Sequence, residues 1–316
     1  MGISAYLKTI VRGARGAGAL EREQARDLLG QVLDGRCSSL EIGAFCAAMR
    51  IKGETARELA GFLDAVQPRL ARVPGADRPA VVLPCYNGGR KLPPLTPLLA
   101  LLLARKGLPV LAHGAPSEDG RVTSQDVLAL LGVPPHPAGQ ALRSGQVHFA
   151  PTQTLQPGLY ELLQARRATG LRNPAHTLVK MMNPVDGPAL VVCCHTHPAY
   201  FESMSAALEL TGSRAMLLRG AEGEPAADPR RAPRMDVFLH GAVYPVQERQ
   251  ASDLASSVPV FAGEIDAEAT AVHILAALSG KAPVPQPILL QVEHIVRACK
   301  IIEAEDDPSC LQDLTP

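Results

Sequence analysis

The fold of this chain is decided by one stretch, Ala80-Val81-Val82-Leu83-Pro84-Cys85-Tyr86-Asn87-Gly88-Gly89-Arg90-Lys91. Its apolar beginning, Ala80–Leu83, has the composition of a buried strand, and the paired glycines predict a tight turn. A helix is predicted next over Thr96–Lys106, and a second strand over Pro109–Ala112. A strand, a helix and a strand in this order form a crossover unit, which predicts a mainly parallel sheet.

The same alternation continues along the chain. Further strands are predicted at Val147–Phe149, Leu190–Cys194 and Ala215–Leu218. Apolar residues at helical spacing predict helices at Ser124–Leu131, Gly158–Ala168, Ala199–Leu210, Glu264–Leu278 and Pro287–Ile302. The acidic segment Glu303–Asp307 begins a tail that is expected to fray.

The beginning of the chain has a different pattern, that of short amphipathic helices. Ser38 with Glu41, and Thr55 with Glu58, form capping boxes ahead of apolar residues at helical spacing. We therefore predict an α/β protein, with a small N-terminal helical domain and a larger α/β domain built on a mainly parallel central sheet.

Composition allows a polyanionic partner even though the formal net charge is zero. The 316 residues are 47% hydrophobic and 20% charged, which is enough to bury a core in two domains. Residues 1–234 hold 27 basic and 19 acidic side chains, whereas residues 235–316 hold 4 and 12. The basic part is a candidate nucleic-acid surface, although an excess of this size is also compatible with ordinary scatter.

Nothing in the sequence predicts a membrane span or a secretory signal. The longest apolar run, Leu95–Ala104, is interrupted by Pro97 and is shorter than the ~20 residues that cross a bilayer. The seven cysteines contain no CxxC pair, so we expect them to be reduced and mostly buried. These features predict a cytoplasmic protein with no membrane partner.

Two predicted strands end in residues suited to ligands, which bind beyond the carboxyl ends of parallel strands. The turn Asn87-Gly88-Gly89 exposes backbone N–H groups ahead of Arg90 and Lys91, so it is either an anion site or an ordinary tight turn. The next strand ends in His113-Gly114, where His113 either meets a ligand or serves only the structure.

In their order along the chain, these motifs resemble those of the anthranilate phosphoribosyltransferase superfamily. The resemblance includes the GG turn, the strand that ends in His113-Gly114, and the segment Arg166-Arg167-Ala168-Thr169-Gly170-Leu171-Arg172-Asn173 followed by Asn183-Pro184. The stretches 86–91 with 95–99, and 219–225 with 227–231, more closely resemble the YbiB-type branch of that superfamily. The likeness spans Ile3–Ile302, essentially the whole chain.

The resemblance carries expectations about organisation and partners. It implies a helical domain at residues 1–72, to which helices around 158–183 return, and an α/β domain formed by residues 78–157 and 184–316. For the YbiB-type branch it implies DNA binding, and a homodimer joined through the helical domain.

The departures from the enzymes concern the residues that carry transfer chemistry. Their Gly-Thr-Gly-Gly-Asp turn is replaced by Tyr86-Asn87-Gly88-Gly89-Arg90, in which Tyr86 fills pyrophosphate space and Arg90 inverts the charge. Their Asp-Glu magnesium pair maps near Glu224-Pro225 and keeps at most one carboxylate. We therefore expect no catalytic residue and no cofactor, and a vestigial phosphate or pyrophosphate site made of Asn87, Gly88, Gly89, Arg90, Lys91, Thr96, His113 and Gly114.

The remaining basic residues predict a different use of the scaffold. Arginine suits bidentate phosphate contact, and we expect DNA or RNA to be bound, without sequence specificity, by Arg166, Arg167, Arg172, Lys180 and Arg219. The alternative without a binding role is that these side chains form only a solvent-exposed helix face. The functional alternatives are a phosphoribosyltransferase, with phosphoribosyl pyrophosphate, Mg²⁺ and an aromatic amine or base as acceptor, and a regulatory protein with a nucleotide in the vestigial site.

A second cluster, Cys193-Cys194-His195-Thr196-His197, contains the residue types of a zinc site. Adjacent cysteines on a strand point to opposite faces, however, and a structural zinc site needs four convergent ligands. We therefore predict no metal site here.

Overall fold

The structure is a computed structural model that describes residues 2–12, 16–116, 120–250 and 265–304. The helices are α1 (Ser4–Ile10), α2 (Arg22–Leu33), α3 (Ser39–Lys52), α4 (Ala56–Val66), α5 (Thr96–Arg105), α6 (Ser124–Leu130), α7 (Thr152–Leu155), α8 (Pro157–Thr169), α9 (Ala175–Leu178), α10 (Pro198–Thr211), α11 (Ala267–Leu278) and α12 (Gln286–Glu303). The strands are β1 (Val73–Pro74), β2 (Ala80–Cys85), β3 (Val110–Gly114), β4 (Val147–Pro151), β5 (Val185–Asp186), β6 (Ala189–His195), β7 (Ala215–Arg219), β8 (Met235–Leu239) and β9 (Ala242–Gln247).

The central sheet has the strand order β4-β3-β2-β6-β7-β8-β9. The first five of these strands are parallel, as predicted, and their carboxyl ends lie at one edge of the sheet. The hairpin of β8 and β9 adds two antiparallel strands that we did not predict. Its turn residues His240 and Gly241 both have positive φ, at 52° and 78°, which suits a tight hairpin turn.

The inner strands of the central sheet, from β3 to β8 in the strand order, are buried on both faces and divide the core into two layers. Along β2, Ala80 and Val82 belong to one layer, while Val81 and Leu83 belong to the other, because side chains alternate across a strand. The first layer also contains Phe45 of the N-terminal helices, so these helices share a continuous core with one face of the sheet. The helices α5, α11 and α12 cover the other face.

The chain passes between the N-terminal helices and the sheet at two paired segments. The link Val73-Pro74-Gly75 contains β1, which pairs in parallel with β5. The Gly75 N–H donates to the Asp186 carbonyl, 3.0 Å between N and O. Helices α8 and α9 lie between the two crossings in sequence, and α8 packs on α2.

The local sequence signals explain where several helices begin. Ser38 and Thr55 cap α3 and α4 with reciprocal bonds to Glu41 and Glu58, as the capping boxes predicted. The predicted strands and helices described above are present with small shifts at their ends, and the α/β fold class is confirmed. Residue Glu264 of the predicted helix and the tail from Glu305 lie outside the described residues.

The cysteines that the structure describes are unpaired, as expected. Cys46, Cys85, Cys193, Cys194 and Cys299 are buried and Cys37 is half-buried, while Cys310 lies outside the described residues. Among the described residues, no helix combines the length and hydropathy that a bilayer span requires.

Gly61 of α4 lies in close contact with α2, and this contact yields a stability prediction. A Cβ at Gly61 would overlap the Arg22 carbonyl oxygen and lie 2.9 Å from the Ala25 Cβ. We expect Gly61→Ala to lower the free energy of unfolding by about 2–3 kcal/mol, because the helices must separate. The matched change Gly43→Ala in α3 meets no atom within 4 Å and should raise it by about 0.5–1 kcal/mol. Urea unfolding measures both values, and a Gly61→Ala protein as stable as Gly43→Ala would contradict this packing.

Candidate functional site

A cleft of about 790 Å³ lies where the end of α3 and the residues after it face the carboxyl ends of β2 and β6. Among the described residues that line it, the cationic side chains are Arg50, Arg90, Lys91, Arg121, Arg172 and Lys180. The acidic side chains in the same lining are Glu54 and Glu222. Arg50, Arg90 and Lys91 are exposed. The cleft therefore presents a surplus of positive charge to solvent.

The GG turn does hold an anion, and that anion is a side chain of the same chain. The Glu224 carboxylate accepts the N–H groups of Asn87 and Gly88 on Oε1, at 2.7 and 2.9 Å. Its other oxygen, Oε2, accepts the hydroxyls of Ser124 at 2.8 Å and Thr96 at 3.3 Å. Glu224 is only 2% exposed. The turn N–H groups that we predicted as a phosphate site are thus satisfied internally.

The segment that delivers Glu224 is a short 3-10 turn, Ala221–Gly223, which follows β7. Glu222 lies in the left-handed region at φ 54°, an uncommon conformation for a residue other than glycine. The Asn87 side-chain amide donates to the Glu222 carbonyl at 3.0 Å, and the Lys91 N–H donates to the Glu222 Oε1 at 3.3 Å. The segment therefore lies directly on the GG turn and forms one wall of the cleft.

Lys180 lies at the floor of the cleft and holds the same segment. It is 6% exposed, and its Nζ donates to the Gly223 carbonyl at 3.0 Å. The Cys194 thiol is 2.9 Å from that carbonyl oxygen. The ammonium group of Lys180, one of the predicted nucleic-acid ligands, is thus hydrogen-bonded inside the protein.

His113 is buried beneath the turn and does not line the cleft. Its Nδ1 lies 2.8 Å from the Tyr86 hydroxyl, which is also 2.6 Å from the Thr152 hydroxyl. The His113 Nε2 is buried and has no hydrogen-bond partner in the described structure. Burial lowers the pKa of His113 to about 3, so the imidazole is neutral at physiological pH. Gly114 is required next to it, because a Cβ would overlap the Cys85 carbonyl of β2.

The predicted arginines occupy three different places. Arg172 lines the cleft beside His176, whose pKa is lowered to about 4 by burial and by the positive charges of Arg172 and, less strongly, Arg166. Arg166 and Arg167 lie in the last turn of α8, outside the lining of the cleft. Arg219 lines a neighbouring groove of about 410 Å³, together with Arg230, Arg231, Arg234 and Arg249. His195 and Glu222 line both cavities, so the two basic surfaces adjoin.

The Cys-His cluster does not converge on a common point. Cys193 packs in the core layer of the N-terminal helices, whereas Cys194 faces Gly223 on the opposite side of β6. In the described part of the chain, no three His, Cys, Asp or Glu side chains are grouped as metal ligands.

The magnesium of the transferase alternative does not fit the residues at the turn. Mg²⁺ requires near-octahedral oxygen ligands, and both oxygens of Glu224 already accept two hydrogen bonds each. Glu222, the nearest second carboxylate in the segment, lies 3.8 Å from the Arg121 guanidinium. Its carboxylate is thus paired with a cation at the place where a metal ion would compete.

Glu222 and Glu224 are the site residues whose role the sequence did not reveal. The sequence places two acids shortly after a strand end, of which we mapped only Glu224, as the remnant of a magnesium pair. A prediction of their role would have needed to pair these acids with the hydrogen-bond donors of a turn two strands away. That pairing follows only from the strand order of the sheet.

Comparison with solved structures defines the class of the fold. Anthranilate phosphoribosyltransferase (TrpD) from Thermus thermophilus matches with a TM-score of 0.67 at 22% identity, over 97% of this chain and 92% of that one. The enzyme from Saccharomyces cerevisiae, in complex with PRPP and Mg, matches with a TM-score of 0.67 at 14% identity, over 96% and 89%. At these identities the likeness concerns the fold alone. The protein has the anthranilate phosphoribosyltransferase-like fold.

Sequence comparison narrows the class to a family. Residues 4–68 match the model described as glycosyl transferase family, helical bundle domain. The YbiB protein of Escherichia coli (strain K12) is 37% identical over 294 residues, covering 90% of this chain and 91% of its own length. An anthranilate phosphoribosyltransferase of Persephonella marina is 25% identical over 228 residues, covering 70% of this chain and 66% of its own length. The chain belongs to the family of YbiB.

The buried His113 yields a prediction about acid stability. Its pKa in the folded protein lies below the ordinary value near 6.5, so its contribution is present above pH 6.5 and is lost as the pH falls toward 3. We expect His113→Asn, which keeps an acceptor near the Tyr86 hydroxyl, to flatten the loss of unfolding free energy between pH 6 and pH 4 by up to about 1.4 kcal/mol per pH unit. Urea unfolding at several pH values measures this slope.

The matched control for that experiment is His197→Asn. His197 is exposed and makes no buried contact of the kind that His113 makes with Tyr86, so the slope should stay close to that of the wild type. An unchanged slope in His113→Asn would show that other groups govern the acid sensitivity.

Proposed function

We propose that the protein binds nucleic acid without sequence specificity through the basic cleft. The observation that carries the proposal is the distribution of charge around the turn. The acid Glu224 is buried at the GG turn, while the cations Arg50, Arg90 and Lys91 are exposed at the rim. A ligand that approaches from solvent therefore meets positive charge first.

The physical basis of such binding is neutralisation of phosphates and release of their counterions. Arginine contributes planar, bidentate contacts to phosphate oxygens. Aromatic residues make up only 3% of the chain, which disfavours a platform that stacks successive bases. Phosphate contact then supplies most of the affinity, so binding depends on salt and little on base sequence.

The predicted track of phosphates extends beyond the cleft. The groove that contains Arg219 adjoins the cleft at His195 and Glu222, and it adds further arginines, of which Arg230 and Arg234 are paired with Asp228 and Asp236. Arg166 and Arg167 on α8 lie outside both linings. They belong to a second, outer set of contacts in this proposal, with DNA and RNA both as candidate partners.

A phosphoribosyltransferase is the second candidate, favoured by the fold and by the enzymes among the relatives. Its chemistry depends on positioning and charge stabilisation at the pyrophosphate. Two observations weigh against it: the turn N–H groups are bonded to Glu224, and the carboxylates do not suit Mg²⁺. The Tyr86 side chain, which we expected to fill pyrophosphate space, is instead buried against His113 and Thr152. We therefore assign the protein no catalytic residue and no cofactor.

Charge reversal at the rim of the cleft tests the proposed function. We expect Arg90→Glu with Lys91→Glu to weaken binding of a fluorescent 20-base-pair DNA by at least tenfold. The slope of log affinity against log salt should become shallower by roughly 2, because about two phosphate contacts are lost. Fluorescence anisotropy at several salt concentrations measures both quantities.

The matched control places the same charge change at the opposite end of the sheet. Lys106 and Arg143 are exposed and precede β3 and β4, so they lie at the amino ends of the strands. Lys106→Glu with Arg143→Glu should leave affinity and salt slope near wild type. Equal losses from both pairs would show only a net-charge effect, and micromolar binding of phosphoribosyl pyrophosphate with Mg²⁺ in calorimetry would favour the transferase.

We also propose that the protein is cytoplasmic and forms a homodimer through its N-terminal helices. Leu40 and Ile51 of α3 are 84% and 81% exposed, and their spacing of eleven residues places them on nearly the same helix face. Val11, after the neighbouring α1, is 53% exposed. Exposed apolar residues grouped in this way are typical of an interface.

Sedimentation velocity tests the dimer. Leu40→Glu with Ile51→Glu should convert dimer to monomer, because two charges would be buried in the interface without partners. The control pair, Leu130→Glu with Leu275→Glu, alters residues of α6 and α11 that are 52% and 56% exposed and should leave the dimer intact. A dimer that survives the first pair has its interface elsewhere.

A further inference from the structure

We infer that the Glu224 carboxylate occupies a phosphate-binding cradle of the same chain and so excludes small phosphates from it. Removal of this carboxylate should open an anion site. The cradle consists of the Asn87 and Gly88 N–H groups and the Thr96 and Ser124 hydroxyls. After removal of the Glu224 side chain, the cradle would bind formate or two oxygens of a phosphate group.

The donors of the cradle converge on one small volume. Two N–H groups reach Oε1 within 2.9 Å, and two hydroxyls reach Oε2 within 3.3 Å, so each carboxylate oxygen accepts two hydrogen bonds. A phosphate group presents two oxygens along an edge in a similar way, and successive backbone N–H groups are a common means of binding it. The four donors are buried, so they need an acceptor whether or not that acceptor belongs to the chain.

Glycines in the GG turn and in the segment that carries Glu224 allow the two to lie in direct contact. Gly88 has φ 65°, and a Cβ at this position would lie 2.7 Å from the Val122 carbonyl oxygen. A Cβ at Gly223 would overlap the Asn87 side-chain amide, and one at Gly220 would overlap the Glu224 carbonyl. Lys180 secures the segment from the opposite side through the Gly223 carbonyl. The backbone that precedes the acid is thus held in contact with the turn and with Lys180.

The bound Glu224 carboxylate would determine which kinds of phosphate the cleft binds. This consequence rests on the proposed function. A phosphate monoester or pyrophosphate needs dense donors around a terminal group, and those donors are occupied by Glu224. An internal phosphodiester needs only cations along its path, and these remain exposed as Arg50, Arg90 and Lys91. Glu224 would therefore favour a polymer over free phosphates.

The primary experiment compares two variants that both lose the negative charge. Glu224→Ala removes the carboxylate and vacates its volume, whereas Glu224→Gln keeps the volume filled. Thermal unfolding of full-length protein is followed in sodium formate, sodium phosphate and sodium chloride at matched ionic strength. We expect Glu224→Ala to gain about 2–4 °C over chloride at anion concentrations tenfold above the dissociation constant, with no such gain in Glu224→Gln or wild type.

Two outcomes of the unfolding experiment would contradict the inference. A response to formate and phosphate that is the same in Glu224→Ala, Glu224→Gln and wild type overturns the inference. So does a Glu224→Ala protein that fails to refold in all three salts while Glu224→Gln refolds, because an open cradle should be filled by an added anion.

A second measurement separates this inference from the proposed function. Wild-type protein should bind a 5′-phosphorylated and a 5′-hydroxyl oligonucleotide of one sequence within twofold, whereas Glu224→Ala should prefer the phosphorylated end by at least fivefold. A wild-type preference for the 5′-phosphate overturns the inference. If neither oligonucleotide binds, the proposed function fails, and the anion-dependent unfolding still decides the role of Glu224.

Discussion

The hydrogen bonds between the Glu224 carboxylate and the GG turn are the constraint on which the cleft depends. They join the end of β2, the start of α5, the start of α6 and the segment after β7. These elements are distant in sequence, since Asn87 and Glu224 are 137 residues apart. One buried carboxylate therefore fixes the relative position of three strand-end loops, because four buried donors converge on its two oxygens.

This arrangement divides the charges of the cleft by depth. The acid lies beneath, bonded to the protein, while the cations stand at the rim in contact with solvent. A chain with a formal net charge of zero can present a positive surface in this way, because acidic side chains are consumed by internal bonds or lie elsewhere. Lys180 is a buried cation whose charge is likewise engaged inside the protein, because its ammonium group donates to the Gly223 carbonyl of the segment.

The sequence predicted the elements well where local signals are strong. The capping boxes at Ser38 and Thr55 and the apolar strand Ala80–Leu83 are local patterns, and the structure contains the predicted elements. The hairpin of β8 and β9 was missed because β9 is partly exposed and contains Pro245, which weakens its strand pattern. Arg166 and Arg167 were grouped with Arg172 by proximity in sequence, but the end of α8 separates them from the cleft.

The sequence by itself determined the α/β class, the helical beginning of the chain and the donor-rich chemistry of the GG turn, because these depend on residues close together in the chain. Only the tertiary structure decided what fills that turn. The strand order places β6 between β2 and β7, so the segment after β7 reaches across one strand to bring Glu224 onto Asn87 and Gly88. Which acid meets which donors is a property of the packed sheet, since long-range hydrogen bonds follow from topology and leave no periodic trace in the sequence.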